Sequence, residues 1–376
     1  MKIAFIGQKG IPAKDGGVER HVEGLAVKLA QHGHEVFVYV RNNYTNKNLN
    51  EYKGVRLIHL PSISTKSLDA ISHTFLATVH SLFQPYDIIH FHSIGPNSLN
   101  WLVKIFKPKT KLVATYHCQD YFHQKWGFFA RTYLKFGEYM TCKIPDKIIS
   151  VSETLKKFIK NKFDVDAIAI PSGVDVSWNP NFSELEKWNL AKEEYIISVS
   201  RLIRHKGIHY LIEAFKNLED KKSTGGKKLV IVGDGFYTDK YVSYLKKLAE
   251  GRKNIIFTGS QTGETLSQLF SHACIFVQPS DSEGLSIALL EAMGYGKAVL
   301  VSDIPENLEA ISDAGFSFKK GNAGDLENKL SELLNNPEEA AKFARDGKKR
   351  VEEIYNWDKI VDQIENVYVN SADEKR

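Results

Sequence analysis

Cysteine is scarce in this chain. There are three in 376 residues, Cys118, Cys142 and Cys274, and no two form a C-x-x-C pair. That excludes a disulfide framework and a thiolate zinc site, and makes a reducing cytoplasm the expected setting. No run approaches the roughly 18 apolar residues needed to span a membrane. The apolar opening Ile3–Ile6 stops at Gly7, too short for a signal peptide. Short internal repeats are lacking, and so is any Ser-His-Asp or Cys-His arrangement that can be placed. The G-x-G-x-x-G fingerprint of dinucleotide folds is missing too. After Gly7 comes Gln8-Lys9-Gly10, and the next glycines are Gly16 and Gly17, a loop too long for NAD.

What is present is the composition of a globular protein, 43% hydrophobic and 25% charged, with length for about two domains. The net charge of +5 is unevenly placed. Residues 101–170 carry 13 Lys/Arg against 6 Asp/Glu, a local net of +7. No nucleic-acid motif accompanies that charge, so no nucleic-acid partner is expected.

The first half alternates strand and helix. Lys2–Gly7 reads as a buried strand, Val18–His32 as a helix with Val18, Val22, Leu25, Ala26 and Leu29 at helical spacing, and Glu35–Val40 as the next strand. Strand, helix, strand implies parallel pairing. Further strands are expected at Val55–Leu60, Asp87–Phe91, Lys111–Tyr116, Lys147–Val151 and within Ala167–Asp175. A polar stretch then leads to a second set at Tyr195–Ser200, Lys228–Val232, Ile255–Gly259, Cys274–Gln278 and Ala298–Ser302. The fold class is therefore α/β, with open, doubly wound sheets that bind ligands beyond the carboxyl ends of their strands.

The most informative stretch is Ser280–Gly296, SDSEGLSIALLEAMGYG. An acidic turn follows a strand and runs directly into an apolar helix expected to begin near Leu285 or Ser286. The amides of Gly284, Leu285 and Ser286 would face an anion at that helix start. If Glu283 and Glu291 both lie on the helix, eight steps leave them about 80° apart at a rise of about 12 Å. That suits an extended nucleotide sugar, with carboxylates on sugar and ribose hydroxyls and amides on the diphosphate. Two glutamates on a helix are also ordinary surface residues. Glu291, however, sits inside the apolar run IALLEAMGYG, where an unpaired charge is costly.

EGLSIALLEAM, with PS before it and AVLVSDIPE after it, resembles the signature of glycosyltransferase family 4. The resemblance implies a retaining enzyme of the GT-B fold, two Rossmann-like domains facing across a cleft, with a nucleoside-diphosphate sugar as co-substrate and no other cofactor. It implies an acceptor-side domain over 1–172, a donor-binding domain over 173–356, and a C-terminal helix within 357–376 returning to the first. The Arg-x4-Lys pattern of Arg201 and Lys206 matches the family's diphosphate grip, and His117 its active-site histidine after a similar strand. By itself a histidine at a strand end is as readily structural. Glu283 would act at the sugar and Glu291 at the ribose. The family's Asn-Gly-Val-Asp appears here with Ser172 in place of Asn, so no role is given to that side chain.

Other glycine turns are candidate donor contacts: Gly233-Asp234 lining the cleft, Gly259-Ser260 near the base, and Gly16-Gly17 for phosphate or sugar, a plain tight turn being as compatible with the last spacing. Asp164-Val165-Asp166 spells a metal motif of the other glycosyltransferase fold, but lies away from the ligand end of the sheet and reads as solvated carboxylates. No metal ligand is expected. GIPAKDGGVERHVEGLA is similar to surface-polysaccharide and rhamnosyltransferase-like enzymes, which implies a glycan or lipid-linked acceptor. Residues 121–147 mix Trp126, Phe128, Phe129 and Tyr133 with Lys125, Arg131, Lys135, Lys143 and Lys147. They suit either a surface resting on anionic lipid, peripheral on the inner face of the membrane, or an aromatic core helix with a solvated basic face. Two rival functions remain at this level: a GT-B-type nucleotide-sugar epimerase, which would release no nucleotide, and a non-catalytic nucleotide-sugar-binding protein, which would not turn over.

Overall fold

The structure, a computed structural model, describes residues 1–65, 68–122, 127–235 and 238–373. The chain forms two units, Met1–Gly173 with Trp357–Arg376, and Val174–Asn356.

The first unit carries β1 (Lys2–Ile6), α1 (Gly17–Gln31), β2 (Glu35–Arg41), β3 (Glu51–Tyr52), β4 (Val55–Leu60), α2 (Leu68–Leu82), β5 (Ile88–His92), α3 (Trp101–Phe106), β6 (Lys111–Tyr116), α4 (Phe128–Lys143), β7 (Lys147–Ser150), α5 (Glu153–Phe163) and β8 (Ile168–Ala169). The sheet order is β3-β4-β2-β1-β5-β6-β7-β8, parallel except for the β3–β4 pair. Its inner strands are near-continuous apolar runs because helices cover both faces. Val22, Leu25, Ala26 and Leu29 of α1 bury against Ile3, Phe5, Val36 and Val38.

The C-terminal helix, Trp357–Asp373, completes this unit, with Ile360, Val361, Ile364 and Tyr368 in the same core. Its anchor is Trp357. A Cβ on Gly24 or on Gly173 would come within 2.4–2.5 Å of that indole, so both positions need glycine for the ring to lie flat against the backbone. Lys28 pairs with Asp358 at 2.6 Å, and His90 Nδ1 meets the Tyr368 hydroxyl at 2.7 Å.

The second unit runs β9 (Tyr195–Val199), α6 (Ile208–Asp220), β10 (Lys228–Val232), α7 (Asp239–Leu248), β11 (Ile255–Gly259), α8 (Gly263–Ser271), β12 (Ile275–Gln278), α9 (Ile287–Gly294), β13 (Ala298–Ser302), α10 (Pro305–Ile311), β14 (Phe316–Phe318), α11 (Ala323–Asn335) and α12 (Pro337–Ile354). Its six strands are ordered β11-β10-β9-β12-β13-β14, and every pair is parallel.

Two short strands, β3 and β14, have too few residues to show a period in the sequence. The strand expected within Ala167–Asp175 shrinks to the two residues of β8. None of the described helices is long and apolar enough to cross a membrane.

Candidate functional site

In each unit the order of the parallel strands reverses at one place. In the second it reverses at β9, which lies between β10 and β12. Loops leaving neighbouring strands there diverge to opposite faces and open a crevice at the carboxyl ends. The two loops are 200–206, after β9, and 279–286, after β12. They touch through their backbones. Gly207 has φ +67°, and a Cβ on it would sit 1.8 Å from the Pro279 carbonyl oxygen. The Asp281 amide donates to the His205 carbonyl at 2.7 Å.

This contact brings two of the expected site residues together. Lys206 Nζ lies 2.6 Å from both carboxylate oxygens of Glu283, with side chains 16% and 7% exposed. The cation expected at the diphosphate thus grips the carboxylate expected at the sugar. Two oxygens equidistant from one ammonium place its charge on the carboxylate axis.

A buried polar chain holds the acidic turn from behind. Ser302 Oγ donates to the Ser280 carbonyl at 2.5 Å, and Asn307 Nδ2 donates to Ser302 Oγ at 3.0 Å. Gln278 Nε2 donates to Asn307 Oδ1 at 2.9 Å, and Ser286 Oγ donates to Gln278 Oε1 at 2.5 Å. The Ser286 hydroxyl also accepts from the Leu289 amide at 3.3 Å, capping α9. Satisfied buried networks of this kind fix one loop conformation.

The cap corrects the helix boundary. Ser286 is extended (φ −82°, ψ 109°), so α9 begins at Ile287 and Glu283 lies in the turn before it. The 80° relation to Glu291 therefore does not apply. Glu291 remains within α9, half-buried, while Gly284, Leu285 and Ser286 form the approach to the helix start. Arg201 lies beside Lys206 in the β9 loop and, among the described residues, its side chain makes no ion pair. The Leu202 amide donates to the Asp234 carbonyl at 2.9 Å, and the Gly233 amide to the Gly259 carbonyl at 2.9 Å. The β9, β10 and β11 ends thus form one row, with Ser260 exposed at its edge.

Two carboxyl groups near Glu283 were not singled out from sequence. Burial pushes Glu306, in the first turn of α10, above the usual carboxylate range, and the Glu283 charge adds to this. Burial likewise raises Asp281, against the attraction of Lys320 and Arg204. Only proximity in the fold distinguishes them from other acidic residues.

In the first unit the order reverses at β1, which lies between β2 and β5. Gly16 caps α1 with φ 89°, a conformation that favours glycine, and Gly17 is its first residue. His117, just beyond β6, is not alone. His92 ends β5, His21 sits on α1, and all three are buried. His92 Nδ1 meets His117 Nε2 at 3.1 Å, and the His21 and His117 rings are 4.9 Å apart. His21 Nδ1 meets the Ser172 hydroxyl at 2.7 Å, which gives a partner to the serine standing where Asn was expected. Burial holds the His21 imidazole down to about 4, and those of His92 and His117 well below their ordinary value. The cluster is neutral near pH 7 and able to accept or donate single hydrogen bonds to a hydroxyl. The strand-end argument applied to His117 applies equally to His92, at the end of IIHFH.

Helix α4 turns Leu134, Gly137, Glu138, Thr141 and Cys142 inward. Phe128 and Phe129 are 78% and 87% exposed, and Phe136 and Tyr139 also face outward, among exposed Arg131, Lys135 and Lys143. That is not the pattern of an aromatic core helix. Lys125 and Trp126 lie outside the described residues. Asp164 and Asp166 pair with Lys160 at 3.0 and 3.2 Å, both exposed, as solvated turn carboxylates should.

Comparison with known proteins adds two family matches. Residues 15–178 match the model described as Glycosyltransferase Family 4, and residues 182–350 that described as Glycosyl transferases group 1. An uncharacterized glycosyltransferase of Methanocaldococcus jannaschii is 29% identical over 98% of each chain. The O-antigen chain mannosyltransferase C of Escherichia coli is 23% identical over the full length of both. Among solved structures, sucrose-phosphate synthase from Thermosynechococcus elongatus aligns with a TM-score of 0.83 at 21% identity, over 98% of each chain. Anabaena HepE, solved in complex with UDP-glucose, aligns at 0.81 with 18% identity, over 98% of this chain and 100% of its own. At these identities the structures establish the fold.

Proposed function

Starting from a chain that is a GT-B glycosyltransferase of the family 4-like type, we propose that it transfers a hexose or deoxyhexose with retention of configuration. The donor is a nucleoside-diphosphate sugar and the acceptor a glycan or lipid-linked glycan of a cell-surface polysaccharide. The observation that carries this reading is the Lys206–Glu283 pair at the switch point of the second sheet, beside the Ser286-capped start of α9.

In the proposed mechanism the diphosphate lies against the Gly284–Ser286 amides, with Arg201 and Lys206 on its oxygens. Glu283, released from Lys206 as the phosphate takes over the ammonium, accepts hydrogen bonds from the sugar, and Glu291 from the ribose. Gly233, Asp234, Gly259 and Ser260 line the nucleoside side. The bond from the anomeric carbon to the diphosphate breaks as the acceptor oxygen approaches on the same face. The acceptor proton passes to a diphosphate oxygen. Charge grows on the leaving group, and preorganised cations stabilise it more in the transition state than in the ground state. His117 positions a substrate hydroxyl, and the first unit holds the acceptor. The transfer itself calls on no metal ion.

The outward aromatic and basic face of α4 supports a place on an anionic membrane surface, near a lipid-linked acceptor. A panel of nucleotide sugars, screened by thermal stabilisation and then by NMR of the fresh product, tests the proposal. One donor should stabilise the protein, nucleoside diphosphate should be released, and the product anomer should match the donor. An inverted anomer rules out retention, and turnover without nucleotide release favours the epimerase.

A further inference from the structure

The three histidines at the switch point of the first sheet are more than a hydroxyl-binding group. One ring nitrogen from each of His21, His92 and His117 lies within 4.8 Å of the other two. Nitrogens around a tetrahedral zinc at about 2.0–2.1 Å stand roughly 3.4 Å apart, so small ring rotations close the set. His92 Nδ1 and His117 Nε2 face each other at 3.1 Å, and His21 Nε2 is buried with no hydrogen-bond partner among the described residues. A buried ring nitrogen left unpaired is costly, so an occupant that His21 Nε2 could bind would relieve that cost. The supporting contact is also present: His21 Nδ1 is held by the Ser172 hydroxyl at 2.7 Å, fixing the ring while leaving Nε2 to the cluster.

We propose that His21, His92 and His117 form a binding site for a divalent transition ion, zinc being the best match to three imidazoles with a fourth position open. Hard oxygen-seeking ions such as magnesium are disfavoured by the absence of a carboxylate from the set. The ion acts as a brake rather than a cofactor. This consequence rests on the reading of His117 given above: an imidazole bound to metal cannot position a substrate hydroxyl.

The test uses the whole chain, dialysed against a chelator and titrated with Zn2+ by calorimetry and with Co2+ in the visible spectrum. One ion should bind per chain, and Co2+ should show the strong visible bands of a tetrahedral site. His21→Ala and His92→Ala should each weaken Zn2+ binding by at least about 100-fold, and Ser172→Ala by about 10-fold. Glu365→Gln, at the group of exposed His32, exposed Asp362 and half-buried Glu365, should leave it unchanged. Absence of saturable one-to-one binding in the wild type overturns the site whatever the variants do. So does undiminished affinity in His21→Ala. Saturating Zn2+ should lower transfer at least 10-fold, with recovery on adding EDTA. Stoichiometric binding with undiminished transfer would uphold the site and overturn the brake, and with it the role of His117.

Discussion

Lys206→Met removes one charge from a nearly dry pair. Glu283 would keep its carboxylate, 7% exposed, with the ammonium that had touched both its oxygens gone. Removing one member of a buried pair costs about 3–5 kcal/mol. Lys206 is itself 16% exposed, and water reaching that gap reduces the cost to about 2–4 kcal/mol. For a unit the size of Val174–Asn356, each kcal/mol lowers the melting temperature by about 2–4 °C, so a drop of about 4–16 °C is expected. Lys206→Met/Glu283→Gln replaces both charges with neutral groups and should recover at least half of the loss. Donor binding separates the two roles of Lys206. If its phosphate partner is desolvated, losing the cation weakens nucleoside-diphosphate affinity by about 2–5 kcal/mol, and the double variant should not regain it. Scanning calorimetry with and without nucleoside diphosphate reads both quantities. Unchanged melting in Lys206→Met would show that the pair contributes nothing. Restored nucleotide affinity in the double variant would remove Lys206 from the diphosphate.

Arg201→Ala should retain its melting temperature, since among the described residues the side chain makes no ion pair, yet lose diphosphate affinity; wild-type affinity by titration would refute its assignment. His117→Ala should lower turnover by about 100-fold or more with nucleoside-diphosphate affinity nearly unchanged, and unaltered turnover would leave the residue structural. Phe128→Ser/Phe129→Ser should reduce sedimentation with anionic vesicles while the wild type binds them in a salt-dependent way; equal, negligible binding of the wild type to neutral and anionic vesicles would end the membrane proposal. Burial, with the Arg41 cation nearby, holds the fully buried His73 down to about 4. The unfolded chain takes up that proton near 6.5 and the folded chain only near 4, so the stability that depends on a neutral His73 is full above pH 6.5, and about 3 kcal/mol of it is lost toward pH 4. His73→Leu should flatten that part of a denaturant-measured stability–pH curve, and an identical slope would contradict the reasoning.

Much of the fold was legible because parallel strands buried on both faces are written as short apolar runs. KIAFI, IISV and AVLVS read as strands from sequence alone, and they are strands in the structure. Boundaries were less legible. The start of α9 moved to Ile287 because a serine hydroxyl can either enter a helix or cap it. Ser286 caps, and the choice follows from the buried Gln278 amide waiting for its proton. The outward set of α4 was ambiguous for a similar reason, since aromatic and basic residues at helical spacing do not say which face meets the core.

The sequence by itself determined the α/β alternation and the glycine turns at strand ends. It also placed Arg201, Lys206, Glu283 and His117 next to those ends, because local periodicity and turn chemistry are short-range properties. Only the tertiary structure decided which ends adjoin. Strand order brings β9 beside β12, so Lys206 meets Glu283 across 77 positions of sequence. The same crossing of distant chain brings Glu306 toward Glu283, and gathers His21, His92 and His117 into one buried group. Nothing within any single stretch records those meetings, since they depend on the order in which whole strands join the sheet.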